Sequence, residues 1–191
     1  MKNNITEWQR LGKRSRRKGH DYERKICKFL SDITGVKFRR APRSGAMIRD
    51  GMINGTFLSG DLLSEKNFVF SIECKNRKKI SLCGAIKNQQ HSELIKGWHQ
   101  CVYDAQISNK RPMMFFYLCN DKCDLVAVDD DGKRVLVEAG LCHNTPTISI
   151  SIEEEITHTI GNEQVRLKLP NMNVMPLKGL QKIANYDRLF T

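Results

Sequence analysis

Apolar residues recur along the chain with two different periods, and each period predicts a different kind of element. Helical spacing predicts one helix over 21–34, capped by Asp21 and stopped by Gly35, and a second helix over 92–106. Runs rich in Val, Ile and Phe predict strands over 36–41, 56–63, 68–75, 113–119 and 124–128. This order predicts an α/β domain in which a mixed sheet is flanked by helices.

The pattern changes beyond Gly140, where short alternating runs replace the longer apolar segments. Residues 148–160 and 165–169 alternate on either side of a turn at Gly161 and Asn162, which predicts a second hairpin. The tail after Pro176 is expected to form a short closing helix. We therefore divide the chain into a basic N-terminal arm (1–17), a core (18–139) and a C-terminal β-rich appendage (140–191).

One predicted strand carries an unusual pair of charges. In the stretch FSIECKN, residues 70–76, apolar side chains fill one face, whereas Glu73 and Lys75 share the other face about 6.6 Å apart along the strand. A simple ion pair at the edge of a sheet explains such a pair when it is considered alone. The neighbouring carboxylates favour another explanation.

Acidic residues are expected to gather around this pair. Asp61 lies in the preceding strand, and antiparallel neighbours are about 5 Å apart, so a hairpin brings it beside Glu73 and Lys75. Glu23 borders the apolar stripe of the first helix and can reach the same place, although it could also be an ordinary first-turn glutamate. Carboxylates held together repel one another unless a cation lies between them. Mg²⁺, for which Mn²⁺ can substitute, suits such oxygen ligands.

A metal at this place would suit phosphodiester chemistry. It would stabilise the negative charge that develops on a phosphate and lower the pKa of a bound water. Lys75 could position or deprotonate that water, or neutralise the oxyanion. Carboxylates alone would indicate only a metal site, so the charge of the rest of the chain decides the class of substrate.

Positive charge is concentrated near the N-terminus. The chain carries a formal charge of +11, and residues 1–50 hold 15 Lys or Arg against 5 Asp or Glu, a net of +10. The basic residues that we expect to contact a phosphate backbone are Lys13, Arg14, Arg16, Arg17, Lys18, Arg39, Arg40 and Arg43. A solvated tail is the alternative. Membrane-surface binding would need bulky apolar anchors beside the charge. Carboxylates and basic clusters together predict a nuclease.

The remaining composition adds little chemistry. Seven cysteines lie singly within predicted elements, which is typical of reduced thiols in a cytoplasmic protein. A zinc site built from Cys119, Cys123, Cys142 and His143 is an alternative, but its spacing is loose. The chain shows neither the apolar segment of a signal peptide nor a transmembrane run, so we expect a cytoplasmic protein with no membrane partner.

Four parts of the sequence carry a family resemblance. Gly60-Asp61 followed by Glu73-Cys74-Lys75 resembles the core of the PD-(D/E)xK nucleases. Residues 18–24 (KGHDYER) and 38–45 (FRRAPRSG) resemble the corresponding blocks of the Holliday-junction resolvases of archaea and phages. Residues 98–100 (WHQ) are similar to the second helix of phage resolvase-like members. The match covers about residues 18–120.

The resemblance implies a restriction-endonuclease-like core, a Mg²⁺-dependent endonuclease that cuts four-way DNA junctions, and a homodimer. It implies the following roles: Asp61 and Glu73 as metal ligands with the Cys74 carbonyl, Glu23 as an accessory ligand, Lys75 as the catalytic lysine, and Arg40, Ser44 and Gln100 as DNA contacts. A long loop over 46–59 leaves selectivity for junctions open. The alternatives are a nuclease of this fold that acts on other DNA in replication, repair or packaging, and a non-catalytic DNA-binding protein.

Overall fold

The computed structural model describes residues 7–42, 60–87, 91–142, 145–152, 155–160, 163–180 and 188–190. The helices are α1 (Glu7–Thr34), α2 (Leu82–Lys87), α3 (Glu93–Ile107) and α4 (Asp130–Glu138). The strands are β1 (Phe38–Arg40), β2 (Leu62–Ser64), β3 (Phe70–Lys75), β4 (Arg111–Leu118), β5 (Cys123–Val128), β6 (Ile148–Ile150), β7 (Glu155–Ile160), β8 (Glu163–Lys168) and β9 (Met172–Pro176). A 3₁₀ turn follows at Leu177–Gly179.

Seven strands form one mixed sheet in the order β1-β2-β3-β4-β5-β9-β6. β3 and β4 are parallel, with Glu73 opposite Met114, and the other neighbouring strands of this sheet are antiparallel. α2 and α3 lie between β3 and β4 in the chain, as a parallel connection requires. The predicted α/β fold with a mixed sheet flanked by helices is confirmed, and it matches a restriction-endonuclease-like core.

Apolar cores cover both faces of the sheet. On one face α1 and α4 pack on alternate residues of β3, β4 and β5, among them Ile72 and Phe115. On the other face α3 packs through Trp98 and its neighbours against Met114 and Phe116. Because both faces are covered, β4 is apolar along nearly its whole length, as is typical of a central strand with a parallel neighbour.

Most predicted elements of residues 18–139 are confirmed, with three differences. The first helix begins at Glu7 rather than at Asp21. The hydrophobic pattern did not predict this earlier start, because residues 9–18 are exposed and provide no apolar stripe. The predicted strand over 56–63 is observed only as β2, and residues 56–59 lie outside the described part of the chain. α2 and α4 were not predicted, although Asp129 caps α4 by accepting from the Gly132 N–H at 2.6 Å.

The C-terminal segment is divided between two sheets. β7 and β8 form the predicted hairpin as a separate two-stranded sheet. Only residues 155–160 of the alternating stretch 148–160 belong to that hairpin, because residues 148–150 form β6 and pair with β9 in the main sheet. β9 was not predicted. The division into arm, core and appendage stays a prediction. Among the described residues, no helix is long and apolar enough to cross a membrane.

Candidate active site

Gly60 and Asp61 enter the sheet through a tight contact with β3. The Asp61 N–H donates to the Ile72 carbonyl at 2.6 Å, and the Asp61 carbonyl accepts from Ala41 at 2.8 Å. Gly60 adopts φ +88°, and a Cβ there would lie 2.5 Å from the Ile72 carbonyl oxygen. Only glycine fits this approach. The Gly-Asp pair of the sequence therefore has a structural cause, because the glycine lets the aspartate lie against β3.

The Asp61 carboxylate is fixed beside the end of β3. Its Oδ2 accepts a hydrogen bond from the Cys74 N–H at 2.9 Å, and Asp61 is almost fully buried. Burial first, and then the charges of Asp61, Glu73 and Glu23, raise the pKa of the Cys74 thiol. The structure therefore brings the three predicted carboxylates around Cys74.

Glu73 and Lys75 form an ion pair on the face of β3 that α3 covers. The Glu73 side chain is 9% exposed and that of Lys75 18% exposed, so this face is buried rather than solvated as an edge ion pair would be. Burial and the Asp61 charge raise the pKa of Glu73 to about 8, although Lys75 opposes the shift. Burial lowers the pKa of Lys75, but the Glu73 carboxylate outweighs it, so the net shift is upward.

Glu23 lies on α1 and is held by another cation. The Arg40 Nε donates to its carboxylate, and Glu23 is 8% exposed. Arg40 is only partly exposed, whereas its neighbour Arg39 points to solvent. Glu23 would have to share its carboxylate with Arg40 to reach a metal. Its role as an accessory ligand stays a prediction.

α3 contributes two residues that the sequence did not single out for this site, Gly97 and Asp104. An added Cβ at Gly97 would lie 3.2 Å from the Met114 Sδ and 3.4 Å from the Lys75 side chain, so the glycine lets α3 lie close to both side chains. Gln100 donates from its amide nitrogen to both oxygens of Asp104, at 2.9 and 3.0 Å. Asp104 is buried, and its charge adds to the raised pKa of Glu73. In the sequence, the spacing of four residues between Gln100 and Asp104 was the signal that could have predicted this hydrogen-bonded pair.

The predicted DNA contacts lie in different surroundings. All five predicted residues of 13–18 are exposed on α1. Arg43 and Ser44 lie outside the described residues. The sequence-based prediction missed a further basic group: Arg77, Lys78 and Lys79 follow Lys75 after Asn76 and are exposed. Arg77 pairs with Glu93 at 2.9 Å. The run of basic residues in NRKK, residues 76–79, was a sufficient signal for this group, but the prediction considered only the positive charge of residues 1–50.

The donor set at the end of β3 suits a hard divalent cation. Burial and then the charge of Asp61 raise the pKa of Glu73, so the two carboxylates repel one another, and a cation between them would relieve that repulsion. Two carboxylates with a backbone carbonyl and waters are ligands that Mg²⁺ takes. Within the described ranges, no group of three or more His, Cys, Asp or Glu side chains is arranged to hold a metal ion. A metal here would therefore rely on the Cys74 carbonyl and water for its remaining ligands.

The family model of the phage putative PDDEXK endonucleases matches residues 14–176. The chain belongs to this family. The match includes Glu23, Asp61, Glu73 and Lys75, and it extends through β9. No curated protein and no solved structure gives a significant match to the chain. Membership of this endonuclease family supports nuclease activity on DNA, and nucleases of the PDDEXK type typically use divalent metals.

Proposed function

We propose that this phage-type endonuclease is Mg²⁺-dependent, that its active site consists of Asp61, Glu73 and Lys75, and that it resolves four-way DNA junctions as a homodimer. The observation that carries the proposal is the Glu73 carboxylate, which is buried beside Asp61 and paired with Lys75. A buried carboxylate with a strongly raised pKa is typical of functional sites.

The metal would be held by the carboxylates of Asp61 and Glu73 and by the Cys74 carbonyl, with Mn²⁺ as a substitute for Mg²⁺. When bound, the ion would stabilise charge on the scissile phosphate and lower the pKa of a coordinated water. The chain itself keeps the ligands in place: the Cys74 N–H fixes Asp61, and α3 covers Glu73. Glu23 would act as an accessory ligand while it shares its carboxylate with Arg40.

Lys75 acts as a cation in this scheme. Its raised pKa keeps it protonated at neutral pH, which makes it a poor base and a good partner for negative charge. The buried stem of Lys75 passes beside Gly97, which limits its motion. Of the roles that the sequence left open for Lys75, neutralising the charge that develops on the phosphate fits this environment best.

Basic residues on either side of the site would hold the DNA. The exposed part of α1 supplies Lys13, Arg14, Arg16, Arg17 and Lys18, β1 supplies Arg39 and Arg40, and the turn after β3 adds Lys78 and Lys79. Arg43 and Ser44 stay predicted phosphate contacts. Gln100 has its amide nitrogen engaged by Asp104, so a phosphate contact from it would require rearrangement. Selection of a junction rests on the resemblance to resolvases.

The test is cleavage of a labelled four-way junction and of a linear duplex with the same arm sequences, in Mg²⁺ and in EDTA. Wild type and Asp61→Ala are compared, with Glu65→Gln as a control that removes an exposed carboxylate at the other end of β2. We expect metal-dependent cutting of the junction by wild type and Glu65→Gln and none by Asp61→Ala. If neither the junction nor the duplex is cut, the nuclease proposal is refuted. If both are cut equally, the proposed preference for junctions is refuted.

A further inference from the structure

The first half of α1 lies outside the core. Every residue from 9 to 18 is exposed, including Leu11 at 51%. In the second half of the same helix, by contrast, Tyr22, Ile26 and Leu30 are buried against the sheet. Tertiary packing therefore stabilises residues 22–34 and contributes little to residues 9–18.

Positive charge covers one side of this exposed half. The basic residues are Arg10, Lys13, Arg14, Arg16, Arg17 and Lys18. At 100° per residue they span about 200° of the circumference of the helix, centred opposite the stripe that α1 buries in the core. Because this arc exceeds half of the helix, its side chains point in directions that could reach phosphates on both walls of a groove.

The same segment is a weak helix by itself. Gly12 and Gly19 lie in its interior, and each costs about 1 kcal/mol relative to alanine. Like charges stand three and four residues apart, which destabilises a helix further. The acidic neighbour that offsets them is Asp21, which lies 3.9 Å from Arg17. Isolated helices shorter than about 12–15 residues are marginal in water.

We propose that residues 9–19 form a docking helix for duplex DNA whose formation is coupled to binding. The proposal rests on the proposed function, since it assigns part of the substrate surface of the same enzyme. Phosphates would neutralise the repulsion within the basic arc and select the helical conformation. The major groove, about 12 Å wide, admits an α-helix. The segment spans about 16 Å, or roughly five base pairs, and it ends shortly before Glu23 in the same helix.

Gly12→Ala tests the coupling directly, because it strengthens the helix without a new contact. A Cβ at Gly12 meets nothing within 4 Å. If binding must first form the helix, alanine reduces that cost and should tighten the Kd for a 30-base-pair duplex about fourfold. The assay is fluorescence anisotropy with the full chain in EDTA, where binding is measured without cleavage.

Two controls accompany the variant. Gly84→Ala makes the same change in α2, where the Cβ would be in ordinary contact with Ser81, and should leave the Kd unchanged within a factor of 1.5. Hydrogen exchange should show residues 9–19 exchanging faster than residues 22–34 in the free protein and becoming protected on the duplex. A single strand of the same length should show less than a twofold effect of Gly12→Ala.

An unchanged duplex affinity for Gly12→Ala would overturn the proposal, as would equal protection of residues 9–19 and 22–34 in the free protein. Equal tightening on the single strand would overturn the assignment to duplex. Cleavage measured on the same preparations separates the two proposals. A protein that binds as expected but never cuts contradicts the nuclease, whereas normal cutting with a neutral Gly12→Ala contradicts only the docking helix.

Discussion

Metal binding at the end of β3 should release a proton from Glu73. The pKa of Glu73 is raised to about 8 by burial and by the charge of Asp61. At pH 7 about nine-tenths of the metal-free molecules would therefore carry the proton there, and a metal ligand must give it up. Once Glu73 has lost its proton, its carboxylate raises the pKa of Lys75, so Lys75 stays charged and does not supply this proton.

The raised pKa fixes the size of the effect. The ionised fraction of Glu73 increases about 50-fold between pH 6 and pH 8, so the affinity for Mg²⁺ or Mn²⁺ should increase by that factor and level off above pH 9. The stability of the metal-free protein should change with pH in the opposite direction to the metal affinity. Between the ordinary value of 4.5 and about 8, the folded state binds the proton more tightly than the unfolded chain, so stability falls as pH rises.

Isothermal titration calorimetry in two buffers of different ionisation enthalpy measures the affinity for the metal ion and the number of protons released when it binds. We expect close to one proton released for each ion bound at pH 7, and far less at pH 9.5. Glu65→Gln should reproduce wild type, whereas Glu73→Gln should bind the ion weakly and without proton release. An affinity that changes less than twofold from pH 6 to pH 8 would refute the assignment of Glu73 as a buried, protonated ligand.

Two glycines give further predictions. Gly60→Ala should lower the free energy of unfolding by about 1–3 kcal/mol and abolish cleavage, because its Cβ would meet the Ile72 carbonyl and displace the next residue, Asp61. Chemical denaturation measures the loss of stability, and wild-type stability of the variant would contradict the prediction. Gly97→Ala should slow cleavage about tenfold while leaving the calorimetric affinity for the metal intact, because the new methyl would lie only 3.2 Å from the Met114 Sδ and would also touch the stem of Lys75 at 3.4 Å, so α3 would have to shift against that lysine. Parallel loss of metal affinity would show that the shift acts on the ligands instead.

The local pattern of the chain was sufficient to predict the central strands and the residues at their ends. Phe70, Ile72 and Cys74 alternate with Glu73 and Lys75, and this period of two was sufficient to predict which side chains lie on each face of β3. The start of α1 could not be found in the same way, because residues 9–18 have no buried side to produce a stripe. A helix without an apolar face leaves no periodic signal.

Contacts between distant segments explain the rest. β9 pairs with β5 although some 45 residues separate them in the chain, and no local feature of either strand specifies that partner. Gly97 and Asp104 became relevant only through the way α3 lies across β3. The cap at Asp129 was readable, since an aspartate precedes two more acidic residues at the start of α4, and it was overlooked.

If Asp61 and Glu73 hold the metal that cleaves DNA, loss of the Asp61 charge should slow cleavage strongly. The measurement is single-turnover cleavage of a four-way junction in Mg²⁺ by wild type and Asp61→Asn. Asparagine keeps an oxygen that can accept from the Cys74 N–H, so the fold should survive while the charge is lost. We expect a rate at least about 100-fold lower for Asp61→Asn. A rate within threefold of wild type, from a variant with wild-type stability, would contradict it.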